Sequence, residues 1–460
     1  MSQTSQVYAH LNEPTEKPEV SRFSETVSRG SNYVRHQTSQ IRMPEFIMAF
    51  LLLFGDPVPG VGLPFNQVII LLLALYGLTR KPTFDVSHFS GLRAIMFIAM
   101  GYLAIVSFYG VHSEDASDWT RRLLRLVAAT VLIWTIAAGR LHIRSIILGY
   151  STAILFNAVG YFAGFAPETG YVGYLTGWLG DKNFSGLVYC LFGLLVLSFA
   201  RNKIEVILAI VVFSALLWAT GSRTSIAAYA AGLIWIVIAH RMKTFGRIAL
   251  GVALYWLIDI LTNDYAQSGA FADRTGTDAL RSLIDQASEI KVQASGFFGQ
   301  GLGEAYVYLA HTGSKTWFFH NSYWSALVEG GWPWMILVVA ITLLFIVNVF
   351  SGQKTLPAKF YVVQGAGVAI MICASRLGEV FYTWPWAVAC GLALRVLLLE
   401  REQRLGTGHD ESSVEGFDER IEIRDAEEAD NHVLAAQNAH KGVEDIHFVS
   451  SASTGSFSKS

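Results

Sequence analysis

The sequence predicts an all-α polytopic membrane protein, with about twelve transmembrane helices and one large periplasmic loop between helices nine and ten. Three observations support this fold class. Only 15% of the 460 residues are charged, whereas about 25% is usual in soluble proteins. Apolar runs near the ~20 residues that cross a bilayer recur along the chain. The 12 Trp and 18 Tyr suit the interfaces where such helices meet water.

The apolar runs follow one another with short polar connections, except for one long polar stretch. The first two runs are short and are interrupted around Asp56 and Pro57, which leaves the count open by one. In order, the runs are predicted at residues 44–57, 62–79, 91–110, 122–139, 143–165, 184–200, 204–220, 224–240, 245–262, 333–351, 358–375 and 380–399.

Lysine and arginine predict the orientation of these helices. With the N-terminus inside, every short inside loop is basic, as the positive-inside rule requires. The inside residues are Arg80, Lys81, Arg140, Arg144, Arg201, Lys203, Arg241, Lys243, Arg247, Lys354, Lys359, Arg401 and Arg404. The long loop 263–332 and the acidic residues 114–118 then face the periplasm or the cell exterior.

The two ends of the chain differ from this apolar part. Residues 1–42 are rich in polar residues and lack apolar periodicity, which predicts a disordered cytoplasmic tail. We predict a transmembrane domain over residues 43–399 and an acidic cytoplasmic tail over residues 400–460. No signal-peptide pattern opens the chain, so its first apolar run is expected to direct membrane insertion.

The long loop 263–332 holds the most concentrated chemistry. Apolar residues at helical spacing predict an amphipathic helix that lies along the interface or docks on the bundle. These residues are Leu280, Leu283, Ile284, Ala287 and Ile290. A glycine run, Gly299–Gly303, and a lone His320 then lead into the next apolar run. We interpret this loop as the lid and one half of an active site.

Several arginines lie on the predicted outer side, among them Arg122, Arg281 and Arg376. Cations held there work against insertion preference, so their placement needs a compensating partner. The structural alternative is pairing with Glu114, Asp115, Glu379 or a lipid phosphate. Arg223 differs because it opens a membrane helix, where free N–H groups beside a guanidinium form a site suited to phosphate.

Several short motifs occur in a set order along the chain. They are Asp181-Lys182-Asn183, Gly221-Ser222-Arg223-Thr224, Arg274, the run Gly299–Gly303, His320-Asn321-Ser322-Tyr323 and Leu327-Val328-Glu329-Gly330-Gly331. In this order they resemble the O-antigen ligase/polymerase superfamily, whose members take a glycan from a polyprenyl diphosphate carrier and join it to another sugar. The resemblance is best over residues 181–335, and upstream only the layout of helices agrees.

The resemblance implies an enzyme of the bacterial plasma (inner) membrane whose active site faces the periplasm or exterior. It implies a metal-independent, inverting glycan transfer to an acceptor sugar hydroxyl. Arg223 and Arg274 would bind the diphosphate, and His320 would be the base or the residue that positions the acceptor. We also predict substrate-binding roles for Ser222, Thr224, Arg122, Arg376, Asn321, Gly301 and Gly303.

The partners expected from this reading are the lipid-linked glycan donor, an acceptor glycan or glycolipid, and the bilayer. We expect no cofactor, no metal site and no nucleic-acid partner. Whether the enzyme would polymerise repeat units or ligate a finished chain stays open.

Elementary chemistry agrees with these roles. Fixed arginines stabilise charge that develops on a leaving diphosphate, most strongly in a partly dry site. A neutral imidazole in hydrogen-bond reach can take the proton of an acceptor hydroxyl. The alternative for His320 is an interfacial histidine satisfied by its neighbours. For Gly301 and Gly303 it is loop shape, because no strand–helix unit surrounds them. Glu304 and Glu329 can orient His320 or pair with an arginine.

Two other functions stay open at this point. A secondary transporter or flippase would place ionisable groups near the bilayer midplane. Here Asn157 and Gln364 are the main polar groups at the segment centres, which weighs against transport. A metal-dependent membrane glycosyltransferase would use Glu114, Asp115 and Asp118 as ligands, but no histidine or second acidic cluster supports them.

Overall fold

Helices form most of the described chain. The computed structural model describes residues 41–60, 62–110, 117–263, 275–309, 315–350 and 358–404. The chain divides into a unit Met1–Ile41 and a unit Arg42–Ser460, and every element below belongs to the second. The two tails predicted from the sequence lie almost entirely outside the described residues.

The helices and strands occur in a simple order along the chain. They are α1 (Met43–Leu51), α2 (Phe65–Thr79), α3 (Ser90–Tyr109), α4 (Trp119–Ala137), α5 (Ile143–Ala163), α6 (Lys182–Leu195), α7 (Lys203–Thr220), α8 (Arg223–Ile238), α9 (Thr244–Asn263), α10 (Thr275–Ala294), β1 (Tyr306–Leu309), β2 (Lys315–Phe318), α11 (Ser322–Ile341), α12 (Ala358–Ala374) and α13 (Trp384–Arg404).

The predicted mostly helical architecture is confirmed, and its apolar helices are consistent with a membrane protein. Each apolar run predicted from the sequence overlaps one of these helices. Within the described ranges, six helices are long and apolar enough to cross a membrane, namely α3, α5, α6, α7, α8 and α11. Helices α2, α9 and α12 are apolar but shorter.

Helix α6 lies at the centre of the bundle. In its apolar span 72% of the residues are buried, against 22% for the span containing α3 and 17% for α7. The exposed faces of α3 and α7 are apolar, and Ile98 and Ile204 are 69% and 77% exposed. Large exposed apolar surfaces of this kind mark contact with a membrane or a partner. Helices α3 and α7 therefore present the surface that suits lipid.

Helices α8 and α12 approach each other closely at two glycines. A Cβ on Gly365 would lie 2.7 Å from the carbonyl oxygen of Gly232, and one on Gly232 would lie 3.0 Å from that of Gly365. Small residues at a crossing let two backbones touch, which is common in membrane helix packing. Next to this crossing, Trp235 Nε1 donates to Gln364 Oε1 at 3.1 Å.

A small antiparallel hairpin, β1 with β2, was not predicted from the sequence. Tyr306 lies opposite Phe318, and Leu309 lies opposite Lys315. Both segments are rich in aromatic and β-branched residues, which fit the pleated surface of a sheet. The aromatic residues before His320, namely Trp317, Phe318 and Phe319, are of a type that suits a membrane interface. In the structure Phe319 is only 2% exposed and packs in a core with α10.

Helix α10 confirms the amphipathic helix predicted in the long loop. Ile284 is buried in a small core with Val307, Phe319 and Val328, and so α10 docks on the hairpin and on α11. The predicted apolar face is only partly used. Leu283 and Ile290, both assigned to that face, are 52% and 69% exposed.

Helix α11 begins earlier than the apolar run predicted at residues 333–351, and it is kinked. Its backbone is non-helical at Gly331 (φ 66°, ψ −165°), and Pro333 follows. Because proline has no N–H and the kink redirects Trp332, the carbonyls of Val328 and Glu329 lose their partners within the helix. Residues 322–330, in which Ser322, Ser325 and Glu329 interrupt apolar and aromatic side chains, form a first helical part that the sequence prediction missed.

Two arginines assigned to inside loops are buried in the structure. Arg144 lies in the first turn of α5 and Arg247 in that of α9, and they are 4% and 1% exposed. Arg247 Nε donates to the carbonyl of Ala239 at 3.2 Å, and its guanidinium lies 5.7 Å from the ring centre of Tyr361. These buried contacts between helix ends could not be read from the count of basic residues.

Candidate functional site

His320 lies in a cavity of about 200 Å³ between the amphipathic helix and the bundle. The cavity is lined by Tyr255, Asp285, His320, Asn321, Trp324, Ser375 and Arg376. Three of these residues, His320, Asn321 and Arg376, were predicted as site residues from the sequence. The structure thus brings part of the predicted set together.

Three separate elements position these side chains. Asp285 lies one turn after Arg281 on α10, and Arg281 Nη2 donates to the backbone carbonyl of Arg376 at 2.6 Å. This bond ties α10 to the end of α12. Asn321 caps α11, because its Oδ1 accepts from the N–H groups of Tyr323 at 3.0 Å and Trp324 at 3.3 Å. His320, directly before this cap, is therefore held at a fixed helix start.

The imidazole of His320 is held neutral by its surroundings. Burial, together with the Arg281 guanidinium, lowers the pKa of His320 to about 4, and the Asp181 carboxylate acts in the opposite direction. Nδ1 of His320 lies 3.8 Å from Oδ1 of Asp285, and both side chains are 30% exposed. Among the described residues, Nδ1 has no hydrogen-bond partner. Burial also raises the pKa of the Asp285 carboxyl.

The motif around Arg223 lies at the start of α8, as predicted. Arg223 is half-buried, while Ser222 and Thr224 are 3% and 9% exposed. Helix α6 packs against this turn so closely that a Cβ on Gly186 would lie 2.5 Å from Ser222 Cβ.

The start of α6 links this turn to the histidine. Asp181 caps α6 by accepting from the N–H groups of Asn183 and Phe184, each at 2.8 Å, and its charge acts on His320. Arg223 is not among the described residues that line the His320 cavity. Arg274 lies outside the described residues.

Arg122 lies in a network of ion pairs near the start of α4. Its Nε and Nη2 each lie 2.6 Å from an oxygen of Glu329 on α11, and Nη1 also donates to Glu379. Arg125 is 3.5 Å from Glu379. The network joins α4, α11 and the segment before α13. The sequence analysis offered pairing with Glu379 as the structural alternative, and the substrate-binding role of Arg122 stays a prediction.

The glycine run donates hydrogen bonds to the carbonyls that the kink of α11 leaves without partners in the helix. The N–H groups of Gln300 and Gly301 donate to the freed carbonyls of Val328 and Glu329, at 2.6 and 3.1 Å. Gly303 N–H donates to Glu329 Oε1 at 3.0 Å. Positive φ angles at Gly301 (112°) and Gly303 (91°) make this path possible. The run therefore has a structural role, and its substrate-binding role stays a prediction.

Sequence reasoning missed Asp285 and Ser375 as neighbours of His320. Asp285 lies off the apolar stripe of the predicted helix, and no role was predicted for it. One signal was available, since Arg281 and Asp285 are four residues apart and so share a face of that helix. Ser375 lies at the end of α12, in a segment with no distinctive pattern.

The described residues include no group of three or more His, Cys, Asp or Glu side chains arranged to hold a metal ion. Of the alternative ligand set, Glu114 and Asp115 lie outside the described residues. Asp118 caps α4, accepting from Thr120 and Arg121 N–H groups.

Comparison with known proteins gives no match, either to a family model or to a curated protein. Fold and site define a mostly helical protein with apolar helices long enough to cross a membrane, and with a half-buried histidine that shares a cavity with a carboxylate and an arginine.

Proposed function

We propose that this chain is a membrane glycosyltransferase of the O-antigen ligase/polymerase type. It would transfer a glycan from a polyprenyl diphosphate carrier to an acceptor sugar hydroxyl, with inversion and without a metal ion. One observation carries the proposal, namely the neutral imidazole of His320 in one cavity with Asp285 and Arg376. The motif order from Asp181 to Gly331 supports it.

The reaction assigns each group a chemical task. The acceptor oxygen forms a bond to the anomeric carbon while the bond from that carbon to the diphosphate oxygen breaks. The leaving electron pair goes to the diphosphate, whose charge fixed arginines stabilise. The hydroxyl proton passes to His320, which is a competent acceptor because it is neutral at physiological pH. Arg376 lines the cavity and is proposed to contact the diphosphate, with Arg223 and Arg274 proposed for the rest of it.

Twelve transmembrane helices with both tails inside are part of this proposal. The basic residues of the short loops support that orientation, which puts α10 and the hairpin in the loop on the outer side. The three cysteines, Cys190, Cys373 and Cys390, are buried and free, so a new surface cysteine can be labelled selectively. A membrane-impermeant maleimide should modify Gln293→Cys on α10 in intact cells and spare Lys203→Cys at the start of α7. The reverse labelling pattern would refute the orientation.

The main polar groups that a transporter could use at the segment centres make hydrogen bonds within the fold. Asn157 donates to the carbonyl of Thr176 at 3.1 Å and to Tyr189 Oη at 3.2 Å, and its Oδ1 accepts from Trp178 N–H at 2.9 Å. Gln364 accepts from Trp235. Groups tied to the fold in this way are poorly suited to bind and release a coupled ion.

The test is a transfer assay with purified protein in lipid nanodiscs and a polyprenyl diphosphate-linked glycan, measuring donor binding and product separately. His320→Ala should lower the rate by about 10²–10⁴ and leave donor binding largely intact. His240→Ala, an exposed histidine on the predicted inner side, is the matched control and should retain full activity. Chelators should have no effect. If His320→Ala transfers glycan at the wild-type rate, the proposed role of this site is wrong.

A further inference from the structure

A second cavity, of about 340 Å³, lies at the outer ends of α2, α4 and α13. The segment that joins α12 to α13 contributes to both cavities. Ser375 and Arg376 line the His320 cavity, whereas Glu379 and Phe381 line the second. The start of α6 is related to both, because the charge of Asp181 acts on His320 and Phe184 lines the second cavity. The two cavities are therefore connected by the segment between α12 and α13.

The second cavity combines aromatic and aliphatic surfaces with flat polar groups. Its polar side chains include the amides of Asn66 and Gln67, in the first turn of α2, and the carboxylate of Glu379. Phe381 and Trp384 add aromatic rings. No described side-chain hydrogen bond uses either amide, so both are available to a ligand.

The charges around this cavity balance. Arg122 is paired with Glu329 and Glu379, and Arg125 lies 3.5 Å from Glu379, so two guanidinium groups meet two carboxylates. Although burial acts to raise it, the Arg122 and Arg125 guanidinium groups lower the pKa of the Glu379 carboxyl to about 2. Glu379 is thus a fixed acceptor of hydrogen bonds at physiological pH.

We propose that this second cavity binds a neutral sugar ring of the glycan acceptor, a step that rests on the proposed glycan transfer. Flat amide and carboxylate groups can each bond to two neighbouring hydroxyls of a sugar, and aromatic rings pack against its C–H faces. The volume lies at the lower end of the ~300–1,000 Å³ range of small-molecule sites, which suits one or two rings. The acceptor would extend from this cavity towards His320 along the shared segment.

Two other ligands fit the cavity less well. An anionic lipid headgroup would meet the ionised Glu379 carboxylate and arginines that are already paired. A polyprenyl or acyl chain would cover the amides of Asn66 and Gln67 without offering hydrogen bonds, and burying unpaired polar groups is costly. A neutral polyhydroxylated ring satisfies both constraints.

The experiment measures equilibrium binding to the full-length protein in nanodiscs, with no transfer step. The probes are oligosaccharides released by mild acid from the surface polysaccharide of the source cells, and polyprenyl phosphate. Asn66→Leu and Gln67→Leu should each weaken oligosaccharide binding by about threefold to tenfold, because each removes one or two hydrogen bonds. Binding of polyprenyl phosphate should not change. Gln293→Leu, on the exposed face of α10, is the control and should bind both probes normally.

Gln67→Glu keeps the side-chain volume, and it should also weaken oligosaccharide binding because it adds charge beside Glu379. The proposal is overturned if the wild type binds no oligosaccharide, if the three cavity variants bind it normally, or if they lose polyprenyl phosphate instead. The transfer assay separates this outcome from the proposed function. Failure of transfer with saccharide binding intact would refute the function alone, whereas active transfer with unaffected cavity variants would refute this site alone.

Discussion

The carboxylate of Asp285 lies 3.8 Å from Nδ1 of His320, although α10 supplies one residue and the start of α11 the other. The distance is too long for a direct hydrogen bond. It is short enough for a small shift, or one water molecule, to connect the two groups when substrate binds. An acid in this place favours the tautomer that carries its proton on Nδ1, which leaves Nε2 free as the base.

Asp285→Asn should therefore lower the transfer rate by about tenfold or more while donor binding stays near the wild-type value. The amide keeps the shape of the side chain and removes its charge. Glu289→Gln, one turn further along the same helix and exposed, is the matched control. If both substitutions lower the rate equally, the effect belongs to the net charge of α10. If neither does, Asp285 does not position His320.

The pH dependence of transfer should report the depressed pKa of His320. The acid limb of kcat/KM should lie near pH 4, well below the ordinary value of 6.5, because burial disfavours the imidazolium. Arg281→Gln removes a charge that lowers this pKa, so its acid limb should move to higher pH, whereas Arg281→Lys should not move. Asp181→Asn removes a charge that raises it and should move the limb lower, while asparagine still caps α6. Shifts of equal sign in the two charge-removing variants would contradict this electrostatic account.

The free energy of unfolding should also depend on the protonation of His320. The unfolded chain takes up a proton on His320 near pH 6.5 and the folded chain only near pH 4, so the unfolded state binds more protons between these values. The free energy of unfolding should therefore fall as the pH drops through this window. His320→Gln should remove that part of the pH dependence, as measured by thermal unfolding in detergent at pH 7, 6 and 5.

Much of the fold could be predicted from the sequence because hydropathy and helix length are strong local signals. The apolar runs each gave a helix, and the amphipathic helix in the loop was identified from its spacing. The first part of α11 was missed because its polar residues are buried by contacts with distant segments, such as Glu329 with Arg122. The hairpin escaped because two four-residue strands give little periodicity.

The candidate site was only partly predictable for a similar reason. His320 and Asn321 stand out because they are adjacent polar residues before an apolar run. Asp285 becomes a neighbour only through the docking of α10 by Ile284, which no short motif records. The same is true of Asn66 and Gln67, which share a cavity with Glu379.

Substitutions of Arg223 test the phosphate site proposed at the start of α8. Arg223→Ala should lose activity. Arg223→Lys keeps the positive charge but loses the planar fork that binds two phosphate oxygens, so it should restore little of that activity. Donor binding and transfer should both fall, with the protein still present in the membrane. Arg241→Lys, at an exposed inner position, should be silent. Full activity of Arg223→Ala would indicate a structural or topological arginine.

The Arg122 network should contribute strongly to stability. Glu329→Gln leaves a nearly buried guanidinium with one carboxylate partner fewer, which should cost about 2–3 kcal/mol. Arg121→Gln breaks the exposed pair with Asp118, 56% and 47% exposed, and should cost less than about 1 kcal/mol. Thermal unfolding in detergent compares the two. Similar melting temperatures for the two variants would mean that the buried pair contributes little.

The last prediction concerns Gly331, where the glycine run meets the kink of α11. Its φ of 66° disfavours any other residue, and a Cβ there would lie 2.0 Å from the carbonyl oxygen of Phe297. Gly331→Ala should therefore push the run away from the freed carbonyls of Val328 and Glu329, lowering both the melting temperature and the transfer rate. Gly170→Ala, where nothing lies within 4 Å of the added methyl and φ is ordinary, should change neither. A Gly331→Ala protein with wild-type stability and activity would mean that the run does not hold the kink in place. A loss of stability with transfer intact would mean that the contacts at the kink stabilise the fold but are not needed to position His320.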